Sequence, residues 1–391
     1  MNILIAGYAY IKENYFNTFK FYPSPGSISF LLPKIWKAKD GKVVFHPPKG
    51  QNVFLSKAYF YHSRYSLVGG LLKGWLPAFP FVLWRLKKKK KIKLVFSPSE
   101  PILLTTLYQG FWSKCFGLKH IIFTWENISY KKKLRGFTGL IKKLILWLNI
   151  YYSDGIICGN KKAEAIIRDL TKKPTIVIPL SGVDEDFFKP EERGSSKEKY
   201  NLTNKIVFTF VGAIGHRKGI HIAIEAFKDV VKEIPNTQFI IAGSGEYDNE
   251  IDELIKTLNL GEYIIRMPWV SHSELHHILS ASDIFIYPSF SYGGWEEQFG
   301  YSMAEASLME LPIISTLSGS INEVVIDRET GILVKPEDVQ SLKEAMTELG
   351  QNEDLRHKMG KAGRNYIVNN FSNKIVAGKF YEFFKKINLH S

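Results

Sequence analysis

Long apolar runs, cysteines and, over one half of the chain, acidic residues are what this sequence of 391 residues has little of. Nowhere do about 18 or more apolar residues follow one another, which argues against a membrane-spanning helix. The two cysteines, Cys115 and Cys158, stand far apart in apolar surroundings. They make no disulfide framework and are expected as reduced thiols of a cytoplasmic protein. The opening Met1-Asn2-Ile3-Leu4-Ile5-Ala6-Gly7-Tyr8 has no basic region before its short apolar run, so a first strand is expected there, not a signal peptide. Residues 1–180 hold only 7 Asp and Glu against 30 Lys and Arg, whereas the remainder holds 31 against 22. The net charge of +14 thus divides into +23 and −9. Such asymmetry suits an anionic partner for the first half: a membrane surface, a nucleic acid or a phosphate-bearing substrate.

What is present is a rhythm of short apolar runs and helical patterns. Candidate strands in the first half are Asn2–Tyr8, Lys42–His46, Lys93–Ser97, His120–Trp125, Gly155–Gly159 and Thr175–Pro179. Between them, residues 9–41 read as an irregular connection or a substrate loop. In the second half the runs are Val207–Val211, Gln238–Ala242, Tyr263–Arg266, Ile284–Tyr287, Pro312–Ser315 and Ile332–Val334, with helical patterns at Gly219–Glu233 and Asn249–Leu258. Alternation of this kind predicts βαβ units and parallel sheets. The expected division is a first Rossmann-like domain over 1–185, a polar linker over 186–204, a second over 205–370 and a C-terminal helix over 371–391. That helix carries Phe380, Tyr381, Phe383 and Phe384, an aromatic cluster suited to packing back on the first domain and bridging the two.

Three basic features mark the first half. Lys87-Lys88-Lys89-Lys90-Lys91 follows an apolar segment, Lys131-Lys132-Lys133 precedes Arg135, and Lys142 and Lys143 border a helical apolar stripe. The stripe contains Leu140, Leu144, Trp147, Leu148 and Tyr151, widened by Ile141, Ile145 and Tyr152. Lysine runs are usually solvated faces and apolar stripes usually core, but together they suit an anionic membrane interface.

Three glycine-containing loops follow strands of the second half. Gly212-Ala213-Ile214-Gly215-His216-Arg217-Lys218-Gly219 opens a helix and offers two cations where a diphosphate would sit. Gly243-Ser244-Gly245 ends the next strand. The third loop, 288–300, leads into Tyr301-Ser302-Met303-Ala304-Glu305-Ala306, placing Glu297 in a loop and Glu305 inside a helix whose N-terminus is a natural anion site. Ligands of doubly wound sheets bind beyond the carboxyl ends of the strands, so the three loops should converge. No His, Cys or Asp cluster with metal-ligand spacing accompanies them.

Glu297-Gln298-Phe299-Gly300-Tyr301-Ser302-Met303-Ala304-Glu305, with Gly212…Lys218-Gly219, Gly243-Ser244-Gly245, Leu311-Pro312 and Gly319…Glu323, resembles the retaining, nucleotide-sugar-dependent glycosyltransferases of family four. The resemblance covers roughly residues 205–345. It implies a GT-B fold: α/β, with two Rossmann-like doubly wound domains facing a central cleft, the first (1–185) binding the acceptor and the second (205–370) the nucleotide-sugar donor. It also implies that Glu297 contacts donor-sugar hydroxyls and Glu305 accepts hydrogen bonds from the nucleotide ribose. Backbone at Phe299, Gly300 and Tyr301, with Gly212 and Gly245, would hold sugar or diphosphate, and Lys218 would neutralise the departing diphosphate without a divalent metal or other cofactor. Three positions depart from the pattern. Ala213 stands where Arg is frequent, with Arg217 as a substitute; Glu310 stands where a glycine often precedes Leu-Pro; and Glu126, in Thr124-Trp125-Glu126-Asn127, occupies the place of a histidine near the transferred sugar, either as a catalytic residue in polar contact with that sugar or as a capping or salt-bridged carboxylate.

The expected function is therefore retaining hexosyl transfer from a nucleotide sugar to a hydroxyl acceptor, lipid-linked or a polysaccharide or glycolipid precursor, by a peripheral protein on the cytoplasmic face of a membrane. One rival is a GT-B nucleotide-sugar epimerase. A rival of another class, a nucleic-acid-binding protein using the lysine runs, lacks a recognisable nucleic-acid motif and leaves the acidic half unexplained.

Overall fold

The computed structural model describes residues 1–38, 41–47, 51–61, 68–190, 193–268 and 270–389. The chain forms two compact units: residues 1–182 with 373–391, and residues 183–372.

Among the described residues nine strands belong to the first unit: β1 (Ile3–Ala6), β2 (Ile28–Pro33), β3 (Ile35–Ala38), β4 (Gly41–Val44), β5 (Asn52–Ser56), β6 (Leu94–Ser97), β7 (Lys119–Thr124), β8 (Gly155–Cys158) and β9 (Thr175–Val177). Seven of them make one sheet in the order β5-β2-β1-β6-β7-β8-β9, parallel at every pairing. Its central strands are apolar in succession, as in Ile3-Leu4-Ile5-Ala6, because helices cover both faces. The final helix, Asn373–Leu389, returns to this unit and inserts Val376, Phe380, Phe383, Phe384 and Ile387 into its core. Phe380 lies 5.3 Å from Phe19 and 5.7 Å from Phe96 between ring centroids.

The second unit adds β10 (Ile206–Val211), β11 (Thr237–Ala242), β12 (Ile264–Met267), β13 (Ile284–Tyr287), β14 (Ile313–Thr316) and β15 (Gly331–Val334). Their order is β12-β11-β10-β13-β14-β15, again all parallel. In each sheet the strand order reverses beside the first strand, between β1 and β6 and between β10 and β13. That switch point leaves a crevice at the carboxyl ends of the two strands, where ligands of doubly wound sheets bind.

The structure differs from the sequence reading at several places. Residues 9–41 are not one irregular connection but contain β2, whose six residues are all buried, and β3. The strand expected at Lys42–His46 forms as β4, yet it pairs antiparallel with β3 in a separate ribbon and stays out of the main sheet. The segment expected as a linker holds the helix Arg193–Lys199, and the backbone before it is fixed by the Asp184 carboxylate, which accepts from the N–H groups of Asp186 (3.2 Å) and Phe187 (3.0 Å). Of that segment, 191–192 lie outside the described residues. Both cysteines are free; Cys158 is buried on β8, but Cys115 is exposed, at the end of a helix.

Candidate active site

The loops after β10 and β13 flank the switch point of the second sheet and meet there. Phe290 N–H donates to the Arg217 carbonyl (3.0 Å), and the Ser289 hydroxyl donates to the same oxygen (3.2 Å). Gly219 makes the approach possible: its φ is +69°, and a Cβ there would collide with the Pro288 carbonyl oxygen. Gly319 does the same for Glu297, since a side chain would strike the Glu297 backbone and Ser320 N–H donates to the Glu297 carbonyl (2.9 Å).

These approaches put Arg217, Lys218 and Glu297 together. Lys218 Nζ lies 2.5 Å from Glu297 Oε2, and Arg217 Nη1 lies 3.5 Å from the same oxygen. A further participant, not anticipated from the sequence, is Tyr287, the last residue of β13. Its hydroxyl donates to Glu297 Oε2 (2.9 Å) and contacts Lys218 Nζ, whose ammonium sits over the tyrosine ring. The signal was a tyrosine closing an otherwise aliphatic and aromatic strand, with a hydroxyl that burial obliges to find a partner. Lys218 is only 7% exposed. Burial pushes the Glu297 carboxyl upward, but Lys218, Arg217 and the Tyr287 hydroxyl outweigh it and hold the group below its usual range. Burial pushes the Lys218 ammonium down, while Glu297 opposes the shift.

Glu305 is built differently. It lies on the helix Tyr301–Leu308, half-buried among the buried Met303, Ala304, Ala306 and Leu308. Its carboxyl makes no hydrogen bond or ion pair among the described residues, and burial raises it to about 8. Gly300, at φ +83°, is the residue at which the chain turns into this helix. The Phe299 ring is buried against Phe371 and Tyr301, which leaves its backbone as the part able to meet a ligand.

The remaining expected residues are more constrained. Gly212 N–H donates to the Ala242 carbonyl (3.0 Å), and Gly245 N–H donates to the Asp248 carboxylate (2.9 Å). Ala213 is exposed, and it is Arg217 that reaches Glu297. Glu126 belongs to the first unit, where its carboxylate pairs with Lys133 (2.6 Å) and accepts from Ile128 N–H (3.2 Å). A neighbouring carboxylate, Glu100, holds the start of the same loop, accepting from the Thr124 hydroxyl (2.7 Å) and Trp125 N–H (2.8 Å).

A buried lysine and a partly exposed arginine thus stand beside a carboxylate at a switch point, next to a helix N-terminus, in the second of two Rossmann-like units, the architecture of the GT-B glycosyltransferases. The fold of sucrose-phosphate synthase from Thermosynechococcus elongatus matches all of both chains with a TM-score of 0.76 at 18% identity. The chain belongs to the glycosyl transferases group 1, whose sequence profile matches residues 192–366. Among curated relatives it is 30% identical over 303 residues to a UDP-Gal:alpha-D-GlcNAc-diphosphoundecaprenol alpha-1,3-galactosyltransferase of Escherichia coli, covering 74% of each chain. It is 28% identical to the capsular polysaccharide biosynthesis glycosyltransferase CapM of Staphylococcus aureus over 62% of this chain and 64% of that one.

Proposed function

We propose that this protein is a retaining glycosyltransferase that moves a hexosyl group from a nucleotide diphosphate sugar to a hydroxyl of a lipid-linked or polysaccharide acceptor. The observation that carries the proposal is the Arg217, Lys218 and Glu297 cluster at the carboxyl ends of β10 and β13. In this reading Arg217 and Lys218 face the diphosphate, and Glu305 accepts from the ribose. Glu297 and the backbone at Phe299, Gly300 and Tyr301 hold the donor sugar, with Gly212 and Gly245 keeping the adjoining loops low. The acceptor hydroxyl attacks the anomeric carbon from the face that the diphosphate leaves. The bond from that carbon to the phosphate oxygen breaks, and the hydroxyl proton passes to the departing phosphate. Lys218 is already desolvated and oriented, so it stabilises the developing charge without reorganisation, the task a divalent metal performs elsewhere. Glu297 is engaged by three donors, which suits an orienting carboxylate better than a nucleophile. Glu126 serves as the anchor of the first-unit loop at 124–133.

The acceptor class is supported by the names of the relatives, one acting on a diphosphoundecaprenol-linked sugar and one in capsular polysaccharide biosynthesis. A membrane setting is supported by the helix Gly136–Tyr152, where Phe137, Leu140, Leu144, Trp147 and Tyr151 are 58–77% exposed while Ile145 and Leu146 are buried. Lys131, Lys132, Arg135 and Lys143 are exposed on and just before that helix. Apolar area and cationic charge then act together at an anionic bilayer surface on the cytoplasmic side. Among the described residues no helix is long and apolar enough to cross a membrane.

Thermal melting with a panel of nucleotide sugars checks donor binding. A cognate donor raises the melting temperature in proportion to the logarithm of its concentration, and Lys218→Ala removes most of the shift. A wild-type protein stabilised by no nucleotide sugar contradicts the proposal.

A further inference from the structure

The first sheet has a switch point of its own, and a cavity of about 660 Å³ opens at it. Its walls include Tyr8 from the loop after β1, Glu100 from the loop after β6 and Trp125 from the loop after β7, together with Lys12, Trp36 and Lys73. The volume falls within the usual range for small-molecule sites, and the lining pairs flat aromatic rings with a few polar groups. Tyr8 and Trp36 are stacked at 4.5 Å with an interplanar angle of 10°. Lys73 Nζ rests 4.8 Å from the centre of the Tyr8 ring, and Lys12 Nζ rests 5.2 Å from the centre of the Tyr15 ring. Neither ammonium has a carboxylate within ion-pair distance among the described residues; Lys12 is exposed, while burial pushes the half-buried Lys73 below its usual range against the opposing pull of Glu100. Glu100 is fixed through one bond to each oxygen, which leaves a further lone pair on each for a ligand hydroxyl.

The geometry points to this cavity as the seat of an acceptor sugar that carries a phosphate, with the ring against the aromatic wall, an acceptor hydroxyl donating to Glu100, and the phosphate between Lys12 and Lys73. Two cations and one carboxylate leave the cavity net positive, which fits a glycosyl phosphate better than a neutral glycoside. The inference rests on the transferase reading above, because it assigns that reaction's second substrate. Glu100 is a binding and positioning residue here, and Lys12 and Lys73 determine specificity. None of the three belongs to the second unit, where the donor is proposed to bind.

Calorimetric titration of the full chain with a panel of hexose 1-phosphates, their methyl glycosides, inorganic phosphate and UDP tests this. At least one hexose 1-phosphate is expected to bind at least tenfold more tightly than its methyl glycoside and more tightly than inorganic phosphate. Lys12→Met and Lys73→Met should each remove at least fivefold of that preference, and Glu100→Gln should weaken phosphate and glycoside alike, all three with unchanged UDP affinity. Unchanged UDP binding shows that the second unit is folded, and an unchanged thermal melting curve by circular dichroism shows the same of the first, which carries the three substitutions. Equal affinity for the sugar phosphate and the glycoside, inorganic phosphate binding as tightly as the sugar phosphate, or variants indistinguishable from wild type would overturn the inference while leaving the donor site standing. A wild-type chain that binds the sugar phosphate and not UDP instead contradicts the transferase reading.

Discussion

Glu305 and Glu297 sit eight positions apart in the chain, yet burial acts on them with opposite results. Glu297 has Lys218, Arg217 and Tyr287 to offset the loss of water, so it stays ionised. Glu305 has no such partner and is raised to about 8 from its usual 4.5. The folded chain therefore keeps a proton that the unfolded chain loses. This group's contribution to stability is full below pH 4.5 and is lost as pH rises through about 8. A ribose hydroxyl is accepted better by the carboxylate than by the acid, so donor binding releases the proton below that pH. Donor affinity should rise with pH, by at most about tenfold per unit, and level off above about 8. Calorimetry in buffers of different ionisation enthalpy checks the proton release. Glu305→Gln should flatten the profile, and a wild-type affinity that is flat through this range contradicts the assignment of Glu305 to the ribose.

At the scale of elements, the six strands of the second sheet were legible as short, mostly apolar runs, four of them followed directly by Gly or Pro, and each stands within a residue or two of its expected place. The first unit was harder. β2 follows a Pro- and Gly-rich stretch and ends at Pro33, and β5 is a half-buried edge strand whose mixed residues carry no clear period. The Glu297 and Glu305 motif was visible as spacing. The convergence of Tyr287 and Lys218 upon it was not, because it depends on where β13 ends relative to the loop after β10. Glu310 shows a cost that the sequence only hinted at. It follows the helix Tyr301–Leu308 with φ +58°, a left-handed conformation that glycine adopts freely. A Cβ on Gly360 would strike the Glu310 carbonyl, so this backbone is held close to the helix Glu353–Phe371. Glu310→Gly should stabilise the chain by up to ~1 kcal/mol, the left-handed penalty less the added freedom of the unfolded chain. Urea unfolding measures it, and a loss of stability would show that the Glu310 side chain contributes more than its backbone costs.

For the whole molecule, charge and apolar exposure coincide in the first unit. The helix Leu104–Cys115 packs against both Phe79–Lys90 and Gly136–Tyr152, and the three expose Phe111, Phe81 and Trp84, and Phe137, Leu140, Leu144, Trp147 and Tyr151 respectively. Lys88 lies over the Trp84 ring at 4.4 Å, so cation and aromatic surface are presented together. Exposed apolar side chains in such number mark an interaction surface. Co-sedimentation with vesicles containing anionic lipid should exceed that with neutral vesicles and fall as salt is added, and a Leu144→Asp, Trp147→Asp variant should lose most of it. Binding that ignores lipid charge would remove the electrostatic part of this account.

The most direct test of the account is the product itself. The chain is incubated with its cognate nucleotide α-sugar, with and without a hydroxyl acceptor, and the new glycosidic linkage is read by the anomeric proton coupling in NMR. An acceptor-dependent product with the donor's α configuration is expected, reduced about 10²–10³-fold by Glu297→Gln or Lys218→Ala. A β-linked product, an epimerised donor formed without acceptor, or full activity in those variants would contradict it.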